Sequence, residues 1–356
     1  VRKMKPFIRN LLRMSVYQIK YMDAVPDSAV CNEAVKLAKR HKFAQLSGFV
    51  NGVLRNIARN IDSVQFDTLS IQYSMPQWIV DRFVAAYGEK KAEEIFKAFH
   101  SKSTISIRTN LTRCTPDELR VMLEAEGVTV TAVDELNYAF VISGFDYLNG
   151  LQSFRDGLFY VQDISSMLVA QTAAPKKGDY VIDVCAAPGG KSTHIAELLQ
   201  GSGHVLARDL TDNKVDMIEE NIERHGLNNM SAEVWDATVF DADSAGKADI
   251  LICDLPCSGL GVLGRKKDIR YKMTPESVDE IAALQRQILD TVHTYVKPNG
   301  VLVYSTCTID EAENEDNVRW FIEKHPEFEL DKSFAEGTGM KQILPGEHGS
   351  DGFFIA

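Results

Sequence analysis

Two cysteines, Cys257 and Cys307, each stand just beyond a short apolar run, in Asp254-Leu-Pro-Cys257 and Ser305-Thr-Cys307. A thiol is a nucleophile only as thiolate, and its ordinary pKa of ~8.5 means that a working site must favour the charged form. The commonplace alternative for either cysteine is burial as a small hydrophobe. Carboxylates recur at the same kind of place: Asp209, Asp236 and Asp254 each end a candidate strand. One acid at a strand end is ordinarily a turn or helix cap; three at successive ends, beside two thiols, describe a reactive site at the mouth of one sheet.

The element that would bring a cofactor there is the run Asp183-Val-Cys-Ala-Ala-Pro-Gly-Gly-Lys191. It follows the β-branched run 179–183 and precedes a helical pattern, so it is a Gly-rich turn between a buried strand and a helix. Glycine lets a ligand approach the backbone, and a helix N-terminus offers unpaired N–H groups to negative charge. The dinucleotide fingerprint G-x-G-x-x-G is absent. Asp209 lies about twenty residues beyond the turn, where a carboxylate meets ribose hydroxyls of a nucleoside cofactor.

From about residue 157 the pattern alternates. Strands are expected at 179–184, 204–209, 231–235, 248–254, 300–306 and 351–356, with helices near 164–173, 191–200, 212–225, 277–295 and 314–325. This predicts an α/β, doubly wound parallel sheet binding ligands at the strands' C-terminal ends. If its order is the usual one, the fourth and fifth strands are neighbours and both thiols converge. Residues 63–155 predict a smaller α/β unit: helices at 76–87 and 89–99, a strand at 104–109, a capping-box helix from Thr115 to Gly127, and strands near 128–133 and 138–143. Residues 1–62 predict three helices. The first opens at Pro6 with Ile8, Leu12, Val16 and Ile19 on one face, and the second is capped by Ser28. The third carries Leu46, Phe49, Val50, Val53, Leu54 and Ile57 inward, which leaves Arg55 and Arg59 facing a ligand. The domains expected are therefore 1–62, 63–155 and 156–356. Val1 is not an initiator Met, so the helical module is expected to lack its start.

Composition, 45% hydrophobic and 25% charged, is that of a globular chain, and no apolar run approaches a membrane span. Six cysteines without a C-x-x-C pair argue against a structural zinc site and a disulfide framework, so no metal is expected and a reducing cytoplasm is. Cys31 shares a helical stripe with Ala34, Val35 and Ala38 and is expected in a core. The net charge of −11 hides a division: residues 1–60 hold 12 Lys/Arg against 3 Asp/Glu, the remainder 27 against 47. A basic module on an acidic body is the footprint of a polyanion binder.

The runs D-V-C-A-A-P-G-G-K, D-L-P-C-S-G-L-G and Y-S-T-C-T resemble those of the S-adenosylmethionine-dependent RNA cytosine-C5 methyltransferases, over roughly residues 150–356. The basic helical start is similar to the latter part of the NusB-like RNA-binding domain carried by the branch of that family acting on bacterial 16S ribosomal RNA. Residues 63–155 resemble the small α/β extension of the same catalytic core. The resemblance implies that Cys185, Ala186, Ala187, Pro188, Gly189, Gly190 and Lys191 form the S-adenosylmethionine loop, that Asp209 binds ribose, and that Asp236 lies near adenine. It places Asp254 beside both the methionine moiety and the target base. It implies Cys307 as nucleophile and Cys257 as the thiol that releases product. RNA contacts are expected from Arg55, Arg59 and Arg265, and the partner would be 16S ribosomal RNA or an early small-subunit particle. Lys267 departs from a proline common in the family, and a NusB-like domain without its first helices puts RNA affinity in question.

Four other readings stay open. DNA cytosine methyltransferases use the Pro-Cys thiol, which would promote Cys257, though their Phe-x-Gly-x-Gly loop is missing. The same chemistry on transfer RNA is compatible with these motifs. A non-catalytic RNA-binding assembly factor, or on fold alone a nicotinamide dehydrogenase, completes the set.

Overall fold

In the computed structural model, which describes residues 4–101, 104–134 and 136–356, the chain divides into two units, residues 1–72 and 73–356. The first unit consists mainly of the helices Pro6–Tyr21, Asp27–Arg40 and Ser47–Asn60. Ile8, Leu11, Leu12, Cys31, Ala34, Ala38, Val50 and Leu54 pack as its core, so Cys31 is buried as its spacing predicts. Two details differ from expectation. The second helix begins at Asp27 after Pro26, whose carbonyl accepts the Ala29 and Val30 N–H groups; Ser28 is thus inside the first turn and cannot cap it. Phe49 is 46% exposed. It lies ~100° around the helix from Val50, outside the narrow stripe centred on Val50 and Leu54.

The second unit holds two sheets. The smaller is antiparallel in the order β2-β3-β1-β4, from β1 (Ile105–Thr109), β2 (Thr129–Val133), β3 (Leu136–Ser143) and β4 (Phe159–Val161). The capping box at Thr115 forms as its S/T-x-x-E spacing requires and starts the helix Pro116–Ala125. Strand β4, three residues long and without alternation, was not expected; pairing with β1 alone makes it a strand.

The larger sheet runs β10-β11-β9-β8-β5-β6-β7. Its parallel part is β5 (Tyr180–Asp183), β6 (His204–Asp209), β7 (Met230–Val234), β8 (Ala248–Asp254) and β9 (Val296–Thr306). The helices Ile164–Ala173 and Asp212–His225 match expectation, whereas the helix expected at 277–295 spans Pro275–Val292 and tightens to a 3-10 turn, His293–Tyr295. Thr274 caps it two residues earlier than expected, with Pro275 at the first helical position. The last strand, β11 (Phe353–Ile355), is antiparallel to β9, and the unexpected β10 (Lys341–Ile343) pairs with it. The helix Glu315–Lys324 carries the chain back so that β10 runs in the sense of β9, and β11 then returns as a hairpin between them. The winding reverses between β5 and β8, which places a ligand crevice over the ends of these two strands.

Candidate active site

β5 ends at Asp183, whose fully buried carboxylate accepts the Ser192 hydroxyl at 2.5 Å and the Cys185 N–H at 3.3 Å. The loop then turns into the helix Gly190–Leu198 through Gly189, whose φ of 101° lies in the region that favours glycine. The loop is braced from outside: Tyr160 Oη and Asn221 Nδ2 donate to the Pro188 carbonyl at 3.1 and 2.9 Å. Burial pushes the Asp183 carboxyl up to about 7. A carboxyl raised in the fold adds stability below its ordinary value and loses that contribution as pH rises through about 7. Asp183→Asn stays neutral throughout, so its melting temperature should fall less over that interval than the parent's. A shift of this size is worth roughly a few kcal/mol, and thermal unfolding followed across pH measures it.

Asp209 closes β6 with 4% exposure. Its Oδ2 accepts the Ala187 N–H at 2.9 Å, locking the Gly-rich loop to the neighbouring strand, and its Oδ1 accepts Leu210 N–H and Lys214 Nζ at 2.7 and 2.8 Å. Asp236 is exposed beyond β7 and turns its own loop through Thr238 N–H and Oγ1, at 2.8 and 2.7 Å. Lys191, expected with the cofactor loop, extends instead to the end of β8: its Nζ meets Asp254 Oδ2 at 2.5 Å, while Ser305 Oγ donates to Asp254 Oδ1 at 2.8 Å. The Asp254 carboxylate is thus held by one group from the loop and one from β9.

Because β8 and β9 are neighbours, their following loops converge. The Sγ atoms of Cys257 and Cys307 are 3.1 Å apart, both half-buried. The Cys257 S–H donating to the Cys307 sulfur lowers the Cys307 pKa against the opposing effects of burial and Asp254; Lys191 and Lys266 lower it further. The same bond, burial and the negative charge of Glu313 push Cys257 well up. Sequence reasoning missed Glu313. It is fully buried and accepts the Ser258 N–H at 2.8 Å, the Ser258 hydroxyl, and Gln285 Nε2 at 3.1 Å, so it anchors the Cys257 loop. No pattern in the chain announces a buried glutamate 55 residues from its partner.

The Cys257 loop is also stitched by backbone. Gly261 N–H donates to the Cys307 carbonyl at 3.1 Å, and Gly352 N–H to the Gly261 carbonyl at 3.0 Å. A Cβ on Gly261 would stand 2.4 Å from the Gly352 oxygen and 2.8 Å from the Cys307 oxygen. Gly261→Ala should therefore displace both thiol loops and cost ~1–3 kcal/mol; denaturant unfolding with parallel methylation assays reads both effects.

The arginines divide. Arg55 and Arg59 lie on the exposed face of the helix Ser47–Asn60, opposite the Val50–Leu54 stripe. Arg265, expected among the RNA contacts, is clamped between Asp163 at 3.0 Å and Asp351 at 2.5 Å and also donates to the Thr104 carbonyl. Its position is that of a tie between the Cys257 loop, the start of the helix Ile164–Ala173 and the C-terminal strand.

The donor set suits a nucleoside sulfonium compound. Asp209 offers a carboxylate to a ribose diol, the first-turn N–H groups of the helix Gly190–Leu198 suit a carboxylate, and the partly exposed Asp254 suits an ammonium.

A model of the 16S rRNA methyltransferase RsmB/F family matches residues 170–356, the NusB family matches 1–59, and the RsmF/B-like ferredoxin-like domain matches 75–145. The probable ribosomal RNA small subunit methyltransferase B of Bacillus subtilis is 38% identical over 371 residues, covering 99% of this chain and 83% of its own. Among solved structures, that of PH0851 superposes with a TM-score of 0.81 at 27% identity, over 99% of this chain and 82% of that one. NSun6 from Pyrococcus horikoshii with SFG follows at a TM-score of 0.72 and 25% identity, over 79% of this chain and 97% of that one. Matched over more than half its length by the family model, and carrying both accessory domains in the same order, the chain belongs to the RsmB/F family of S-adenosylmethionine-dependent 16S ribosomal RNA methyltransferases.

Proposed function

We propose that this protein methylates C5 of one cytidine in 16S ribosomal RNA, free or within an early small-subunit particle, through a covalent bond between Cys307 and C6. The observation that carries this reading is the unequal thiol pair. The two sulfurs are 3.1 Å apart and either can donate to the other, but Lys191 and Lys266 favour negative charge on Cys307, whereas Glu313 opposes it on Cys257.

Cytosine C5 is too weak a nucleophile to take a methyl group unaided. Addition of the Cys307 thiolate to C6 breaks the C5–C6 π bond and moves its electron pair towards C5. Asp254, held by Lys191 and Ser305, stabilises the adduct at the pyrimidine N3 edge. S-adenosylmethionine supplies an electrophilic methyl group on a sulfonium. The Gly-rich loop and Asp209 hold the reactants in line, and orientation of this kind accounts for much of the rate. Loss of the C5 proton then returns an electron pair to the ring, and the Cys307 sulfur leaves as thiolate. A water ordered by Cys257, whose own thiol stays protonated, takes that proton; the thiol is freed to hold that water once C6 has replaced it as the partner of Cys307. A stacked base cannot reach this pair, so the target must be flipped out or in a loop. The exposed Arg55 and Arg59, on a helix of the basic module, would hold RNA phosphates. The domains are read accordingly: 1–62 for RNA binding, 63–155 as the extension of the core, 156–356 for catalysis.

The test is a denaturing gel of 16S ribosomal RNA incubated with S-adenosylmethionine and the parent, Cys307→Ala or Cys257→Ala protein. A covalent RNA–protein band that accumulates with Cys257→Ala and vanishes with Cys307→Ala supports both roles. The reverse pattern assigns the nucleophile to the Pro-Cys thiol and sinks the reading.

A further inference from the structure

A second cluster of ligating side chains lies at the other end of the sheet. Asp290 is in the last turn of the helix Pro275–Val292, His293 opens the 3-10 turn after it, and His325 ends the helix Glu315–Lys324. One ligating atom from each lies within 4.8 Å of the other two. The imidazole rings are 4.0 Å apart between centroids. His325 is 7% exposed, and its Nε2 stands 3.1 Å from Asp290 Oδ1 yet off the line of a hydrogen bond. His293 Nδ1 is likewise buried without a hydrogen-bond partner. Two orphaned ring nitrogens at one place cost ~1–3 kcal/mol each unless a third body satisfies them. A carboxylate and an imidazole nitrogen at close range but off line have the geometry of two groups aimed at a common centre. Glu327 Oε1 stands 3.8 Å from His293 Nε2 and 3.7 Å from His325 Nδ1.

We propose that Asp290, His293 and His325 bind a divalent transition-metal ion, Zn2+, through His293 Nδ1 and His325 Nε2, with Glu327 beside the opposite nitrogens of the two rings. Two imidazoles with carboxylates suit this borderline-soft ion and not Mg2+ or Ca2+, which take oxygen sets. Lys324 Nζ lies 2.8 Å from Asp290 Oδ1 but is 46% exposed, so it can swing into solvent as the ion takes its place. His293 and Glu327 also line a cavity of about 810 Å3 that gives an ion a way in. β9 begins just after His293 and ends just before Cys307, and allowing for the bulge after Val296 this sets the two sites roughly 20–25 Å apart along the strand. The ion clips two helix ends together and takes no part in methyl transfer.

The experiment uses the whole chain carrying Cys257→Ala and Cys307→Ala, which removes the thiol pair as a competing site. Co2+ is titrated in after chelation, then displaced by Zn2+. The expected result is one equivalent of cobalt with visible d–d absorption and no sulfur-to-cobalt charge-transfer band. Zn2+ should raise the melting temperature, and His325→Gln should weaken binding by roughly 100-fold. Two paramagnetically shifted imidazole N–H resonances in the cobalt protein identify the ligands without any histidine substitution. Absence of those resonances, a charge-transfer band, or binding indifferent to His325→Gln overturns the proposal.

Discussion

Cys307→Ala should lower methyl transfer to 16S ribosomal RNA by about 10^4-fold or more while leaving S-adenosylmethionine affinity close to the parent's. The groups proposed to hold the cofactor sit on β5, β6, the turn after β5 and the end of β8, and the Cys307 side chain bonds to Cys257 instead. On the proposed mechanism the loss is large because the thiolate is the source of the electron density that C5 needs, and water cannot replace a bond to C6. Cys257→Ala should behave differently. Its first turnover should proceed, since C5 attack does not require that thiol, and later turnovers should stall with RNA still bound. Single-turnover and multiple-turnover rates measured side by side separate the two defects. Asp254→Asn should fall between, at about 10^2–10^3-fold, because the amide still accepts from Ser305 but no longer pairs with Lys191. Equal losses for both cysteine variants in a single turnover would contradict the division of roles.

Arg108→Met should be the most damaging single change to stability, at ~3–5 kcal/mol. Arg108, 1% exposed, leaves β1 to meet Glu197 and Thr193 on the helix Gly190–Leu198, the latter at 3.0 Å, and Gln162 at 2.9 Å. This one guanidinium joins the small sheet to the helix that follows the cofactor loop. His225 lies 3.8 Å from the same Glu197, but burial holds its pKa down at about 2, so it is neutral and no substitute for the arginine. Burial already pushes the Glu197 carboxyl up to about 7, with Arg108 pulling it back. Without Arg108 the acid must stay protonated in the fold, a state favoured at low pH and lost as pH rises. The destabilisation should therefore grow above about pH 7 and shrink below it. Adding Glu197→Gln should recover much of the loss at high pH, because the uncompensated buried charge is then gone. Urea unfolding of the two variants across pH checks magnitude and sign together.

Much of the catalytic half was legible in the chain. The apolar, β-branched runs before Cys185, Leu210, Leu255 and Cys307 have one interpretation as buried parallel strands, and β5, β6, β8 and the end of β9 form there. With the β-α alternation, their order follows from chain connectivity, which is why the approach of Cys257 to Cys307 could be expected 50 residues apart. Strands β4 and β10 were illegible because three residues carry no periodicity; their partners make them strands.

Residue types and spacing by themselves determined the Gly-rich loop, the two thiols and the basic helical start, since each depends on local chemistry or on a repeat of two or 3.6 residues. Tertiary structure alone decided how charges pair across distance. Lys191 reaches Asp254 rather than staying with its own loop, Arg265 is taken up by Asp163 and Asp351, and Arg108 finds Glu197 89 residues away. The same holds for Asp290, His293 and His325, which meet only because two helices end at one corner of the sheet. The physical reason is common to all four. A buried charge or ring nitrogen must be satisfied by whatever group packing delivers, and that delivery is a property of the assembled layers, with no trace in the spacing of the chain.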